Sequence, residues 1–144
     1  MRETADPHDL NRFVAAQAGT FDQDLAEVEA GAKRGHWMWF VFPQIAGLGH
    51  SLTARHFAIR LLAEARAYLK HPILGDRLRA CVAALERIGK ADAEAVFGPI
   101  DALKLRSSLT LFVAAGGGPA FVDVLTRWGG GPDPATLRLV EADA

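Results

Sequence analysis

Between residues 54 and 69 the apolar side chains Ala54, Phe57, Ala58, Leu61, Leu62, Ala65, Tyr68 and Leu69 recur at helical spacing. Arg55, Arg60, Glu64, Arg66 and Lys70 fall on the other side. The pattern predicts one continuous amphipathic helix, closed by His71-Pro72. Pro72 can open the next helix, in which Leu74, Leu78, Cys81, Val82, Leu85 and Ile88 keep the same period as far as Gly89. Upstream, Asp6-Pro7 predicts a first helix that runs to Gly19. Thr20 with Gln23 predicts a capping box for a second, whose stripe is Phe21, Leu25 and Val28 and whose end is Gly31 to Gly35. Downstream, a short helix over Asp92–Phe97, a longer one from Gly98-Pro99 to Gly116, and two more over Pro119–Trp128 and Pro134–Val140 complete the count. Glu141 to Ala144 read as a frayed polar tail. Only residues 36–48 fall outside helical patterning. The expectation is a single all-α domain over 1–144, with its core at about 6–140 and seven or eight helices around a buried aromatic segment.

Composition narrows the function classes. The chain has 144 residues, half of them hydrophobic and 23% charged, enough apolar material for one packed domain. Its net charge of −1 gives no global drive toward nucleic acid or an anionic membrane. Arg55, Arg60, Arg66, Lys70, Arg77, Arg79 and Arg87 form a stripe that reads as solvated and paired with Glu64, Asp76 and Glu86, so no nucleic-acid partner is expected. Asp22, Asp24, Glu27 and Glu29 likewise read as a solvated face of the second helix. A single cysteine excludes an internal disulfide and a multi-cysteine zinc site, and Cys81 lies on an apolar stripe as a structural thiol. The five histidines form no i, i+4 pair, so neither a metal nor another cofactor is expected. Residues 1–20 carry Arg2, Glu3, Asp6, Asp9 and Arg12 and no apolar stretch typical of an export signal. The longest apolar run, Trp37–Phe42, is six residues, against about 20 for a membrane-spanning helix. A cytoplasmic, non-membrane protein is expected. Gly116–Pro119 and Gly129–Pro132 read as helix stops because no Lys-Ser/Thr follows them, and no Gly-x-Ser-x-Gly elbow occurs.

Two segments carry candidate chemistry. Lys33-Arg34-Gly35-His36-Trp37-Met38-Trp39-Phe40-Val41-Phe42-Pro43-Gln44 crowds large rings between polar edges and keeps neither helical nor strand period. It is either a core plug or the wall of a pocket. In Asp101–Phe112, helical spacing places Ala102, Leu105, Leu109, Phe112 and Val113 on one face. Lys104, Ser107 and Ser108 fall on the opposite face, with Asp101 near its edge. Those serines either line a polar cradle, lie on a solvated face, or let helices approach closely.

These readings lead to a binding protein, or an enzyme, for a small anionic metabolite such as a nucleotide-derived one. Trp37 and Trp39 would form a stacking wall, Lys33, Arg34, Lys104, Ser107 and Ser108 would hold the anion, and Gln44 would supply a polar edge. His36 is the candidate catalytic residue, as proton donor or acceptor. The alternative is a non-catalytic protein-interaction module in which the aromatic segment is only core. The two differ in whether His36, Gln44, Lys104 and Ser108 meet around a cavity. Reaction, ligand identity and oligomeric state stay open at this level.

The stretch Gly35–Gly49, with His36-Trp37-Met38-Trp39-Phe40-Val41-Phe42-Pro43-Gln44 at its centre, resembles the signature of a bacterial family of unknown function. Ala63–Pro72 and Lys104-Leu105-Arg106-Ser107-Ser108-Leu109-Thr110-Leu111-Phe112 resemble the same family, in matching order over about residues 6 to 140. The resemblance implies a compact, mostly helical single-domain fold and brings no established activity or catalytic residue. Members are sometimes labelled calpastatin. A calpain inhibitor of that kind would be a disordered, repeated, polar chain, whereas this one reads as globular.

Overall fold

A computed structural model describes residues 6–143. Among them are ten α-helices and one π-helical turn. In chain order the helices are α1 (Asn11–Gln17), α2 (Phe21–Ala30), α3 (Met38–Val41), α4 (Leu52–His56), α5 (Leu62–Lys70), α6 (Leu74–Arg87), α7 (Ala93–Phe97), α8 (Pro99–Ala114), α9 (Pro119–Val124) and α10 (Pro134–Asp143). The π-helical turn, Leu125–Gly129, continues α9. The all-α expectation holds, with more and shorter helices than the periodicity implied.

The largest departure is at residues 57–61. The predicted continuous helix is cut in two because Ile59 leaves helical geometry to form a parallel bridge with Ile45. The Ile59 N–H donates to the Gln44 carbonyl and its own carbonyl accepts from the Ala46 N–H, both at 2.8 Å. Phe57 and Ile59 satisfy a period of two as well as a helical stripe. The completely buried Ile59 side chain and these two backbone bonds decide between them.

The N-terminal predictions also shift. Asp6 accepts from the N–H groups of Leu10 (2.8 Å) and Asn11 (3.0 Å), so it organises a turn ahead of α1 instead of starting a helix itself. Asp9, at φ +49°, interrupts any helix there. The Thr20 side chain caps nothing, because its backbone is not in the extended N-cap conformation. Gln23 turns to Glu27 instead (3.4 Å), and the capping box does not form. At the other end α10 runs through Asp143, so the tail is helical as far as that residue. Ala144, Arg2 and Glu3 lie outside the described residues.

The amphipathic stripe of α6 packs as predicted, burying Leu74, Leu78, Cys81, Val82 and Leu85. It meets α2, α5 and α9. Burial pushes the Cys81 thiol up to about 12. Helix α8 is the centre of the molecule, touching α3, α5, α7, α9, α10 and the π-helical turn. A helix enclosed on all sides has no polar face to present. Leu105 and the whole run Ser107–Phe112 are therefore buried, while Ile100 and Leu103 near its start are 69% and 67% exposed.

A buried ion pair ties the N-terminus to the middle of the chain. Glu64 is fully buried and takes Arg12 at 2.6 Å and Arg60 at 3.0 Å. Arg12 also donates to the carbonyls of His8, Asp9, His56 and Ala58. Of the other arginines singled out in the stripe, Arg79 pairs with Asp76 (3.8 Å), while Arg87 reaches Glu29 (3.7 Å) instead of Glu86. Among the described residues no helix is long and apolar enough to cross a membrane.

Candidate functional site

The aromatic segment is organised by Glu27, a residue whose sequence context marks it only as surface. Its Oε1 accepts the N–H groups of Arg34 (2.8 Å) and Gly35 (3.0 Å) and the indole N–H of Trp37 (2.8 Å). Burial alone pushes this carboxyl up. The bonds from Gly35, Arg34 and Trp37 outweigh it and hold the group down at about 2. Trp37, Met38, Val41 and Phe42 are at most 2% exposed and sit in a ring cluster that includes Phe97. Trp37 is core more than stacking wall, which corrects that part of the pocket reading.

On one side of Trp37 lies a cluster of three charges. Lys33 Nζ meets Asp101 at 2.7 Å, donates to the Gly35 carbonyl and lies over the Trp37 ring, 5.1 Å from its centroid. Lys104 Nζ meets the other oxygen of Asp101 at 3.1 Å and stands 3.8 Å above the Trp39 ring. Two ammonium groups thus share one carboxylate over two indoles, with a cation–π contact at each end. The Lys33 and Lys104 side chains are 7% and 17% exposed. Burial works against the Asp101 carboxylate, and the bonds and charges of Lys33 and Lys104 hold it below the usual range.

Beside Trp37 and Glu27 opens a groove of about 400 Å³ lined by Gly19, Thr20, Gln23, Asp24, Glu27, Gly35, His36, Trp37 and Phe40. Asp24 is buried in its wall, contrary to the solvated face expected for it. Oδ2 meets the Thr20 hydroxyl at 3.4 Å, and Oδ1 takes no hydrogen bond among the described residues. Burial, reinforced by the charge of Glu27, pushes this carboxyl up to about 6. His36 lies exposed at the rim.

The sequence candidates therefore divide. Lys33, Trp37, Trp39 and Lys104 are brought together around Asp101. Gln44 lines a small gap with Trp39, Gly49 and Ala54 and makes no contact with Lys33, Lys104 or Asp101 among the described residues, its backbone carbonyl accepting from the Ile59 N–H. Arg34 and His36 face solvent. Ser107 and Ser108 are 7% and 0% exposed. Ser107 bonds the Leu103 carbonyl (3.0 Å) and Asp133 (3.4 Å), and Ser108 Oγ has no partner among the described residues. Both belong to helix packing, so the cradle of Lys104 with two hydroxyls does not form. His36, Gln44, Lys104 and Ser108 do not line one cavity. Asp24, Glu27 and Asp101 are the residues that pattern reading missed. Asp101 beside Lys104 on one helix was a visible signal. For Asp24 and Glu27 there was none, because a carboxylate on a helix gives no sign in the sequence of the loop that folds onto it.

Among the described residues this arrangement defines a small all-helical protein with a charged cluster and an acidic groove that both adjoin one buried tryptophan. Residues 7–140 match the family described as "Protein of unknown function (DUF1810)", and the chain belongs to it. The crystal structure of the conserved hypothetical protein Rv1873 from Mycobacterium tuberculosis is similar, at 48% identity and a TM-score of 0.91. The match covers 94% of this chain and 99% of that one. No curated protein matches it.

Proposed function

We propose that the protein is a cytoplasmic binding protein for a small anionic metabolite, held at the junction of residues 33–44 and 101–112. One observation carries this reading: Lys33 and Lys104, brought from two distant segments, share the single carboxylate of Asp101. Two cations against one anion leave an excess positive charge beside aromatic surface, which attracts a second anion such as a phosphate or carboxylate. Each ammonium has three donors, and Asp101 takes one from each. The half-buried Trp39 offers apolar surface for the body of a nucleotide-derived ligand.

The test is calorimetric titration with inorganic phosphate and nucleoside monophosphates at low ionic strength. Saturable binding that weakens about tenfold in Lys104→Gln, about 1.4 kcal/mol, supports the reading. Equal affinity in the variant, or no binding by any of these anions, overturns it.

The competing reading, a protein-interaction module, has its own support in Ile100 and Leu103, one helical turn apart and both largely exposed beside Lys104. On that reading Lys104→Gln leaves small-anion binding unchanged, and Leu103→Asp alone disrupts partner binding.

A further inference from the structure

The groove beside Trp37 has chemistry of the opposite sign from the lysine cluster. Its volume of about 400 Å³ falls within the range of about 300–1,000 Å³ typical of small-molecule sites. Two carboxylates, Asp24 and Glu27, stand one helical turn apart on α2, and the half-buried ring of Phe40 completes the wall above the buried Trp37. The two acids do different work. Glu27 is spent on the loop, with Oε1 taking three N–H donors. Asp24 is 95% buried and lines the groove, and among the described residues its carboxylate takes a single long hydrogen bond, from the Thr20 hydroxyl to Oδ2. A carboxylate removed from water with so little hydrogen bonding is stabilised by an entering cation that donates to it. An aromatic wall adds favourable contact with an organic cation and none of the preference for a hard metal ion. Among the described residues no group of acidic, histidine or cysteine side chains is arranged to hold a metal.

We propose that this groove is a binding site for a small organic cation, a primary ammonium or guanidinium on a short apolar stem, with its charged head on Asp24 and its stem against Phe40. The acid of this site comes from α2 and that of the anion cluster from α8, and the charge of Lys33 acts on both. Binding is coupled to ionisation, because the cation needs Asp24 as a carboxylate and burial favours the protonated form. The charged and titratable groups around Asp24 are Glu27 on its own helix, Lys33 from the following loop, Cys81 from α6, and His36 at the rim. Cys81, pushed up to about 12, stays neutral throughout the range in question.

Titration of the full chain with 2-phenylethylamine and agmatine, with 2-phenylethanol as the neutral comparator, tests the proposal. The amines are expected to bind at least about tenfold more tightly than the alcohol at about pH 7.5 and to weaken by about tenfold near pH 5. Asp24→Asn is expected to lose both the amine preference and the pH dependence. His36 lies at the rim of the same groove, so His36→Gln is the control and should retain both effects. Lys104→Gln should leave amine affinity unchanged, which separates this site from the anion site. Equal binding of amine and alcohol, no saturable binding of either amine, unchanged amine affinity in Asp24→Asn, or a pH dependence abolished by His36→Gln but kept by Asp24→Asn would each overturn the proposal. So would tighter binding of magnesium or calcium than of the amines.

Discussion

The indole N–H of Trp37 donates to Glu27 Oε1 at 2.8 Å, and the same oxygen accepts two backbone N–H groups of the loop that leads to Trp37. One carboxylate on α2 thereby sets the course of residues 34–37, on which both candidate sites depend. Glu27→Ala leaves a buried indole N–H and two loop amides without this acceptor, at an expected cost of about 2–3 kcal/mol. The carboxyl is held below its ordinary value, so its contribution is full above about pH 4.5 and is lost as pH falls toward about 2. Because the side chain is partly solvated, that contribution amounts to about 1–2 kcal/mol after screening. Urea unfolding of wild type and Glu27→Gln from about pH 6 to pH 3 should show the difference shrinking on acidification. A constant difference would contradict this account.

Arg12 and Glu64 make the second critical pair. Among the described residues, removing Arg12 leaves a fully buried carboxylate with Arg60 as its remaining ion-pair partner, whose side chain is 57% exposed. Arg12→Ala should therefore destabilise by about 3–5 kcal/mol. The double variant Arg12→Met/Glu64→Gln should recover much of that loss. Chemical denaturation of the three proteins decides, and strictly additive effects would rule out the pairing as the cause.

Among the glycines, Gly75 leaves the least room for a side chain. A Cβ built there would stand 2.1 Å from the Leu69 carbonyl oxygen, a backbone atom at the end of α5 that cannot swing away. Gly75→Ala must push α5 and α6 apart, so it should cost more than about 3 kcal/mol despite alanine's better helix propensity. Thermal unfolding measures this. A stabilised variant would mean that the α5–α6 corner is looser than described.

Ser108 gives the opposite sign. Its hydroxyl is completely buried and has no partner among the described residues, so Ser108→Ala is expected to be neutral or to stabilise by about 1 kcal/mol. The same variant should leave phosphate titrations unchanged. Loss of anion binding in it would return Ser108 to the site from which its position removes it.

These residues also show what pattern reading can reach. The stripe of α6 was legible because one side faces core and the other faces water, so composition and burial coincide. Helix α8 was not, because neighbours surround it; Ser107 and Ser108 are polar by chemistry and interior by position. Residues 57–61 misled for a related reason, since alternating and helical periods overlap there and the tie is broken by Ile45, far away in sequence. In the candidate site, Lys33, the tryptophans and Lys104 stood out by type. Asp24 and Glu27 could not, because a carboxylate on an amphipathic helix reads as solvated until the segment that covers it is placed.

The partners of Arg12 bear on how the chain comes off the ribosome. His56, Ala58 and Glu64 follow Arg12 by 44, 46 and 52 residues. At about 5–20 residues per second, synthesis leaves α1 without its docking surface for roughly 2–10 s. A seven-residue helix is too short to persist alone in water over that interval. The first helix of this protein is therefore made early and seated late, after the segment that reads it has emerged.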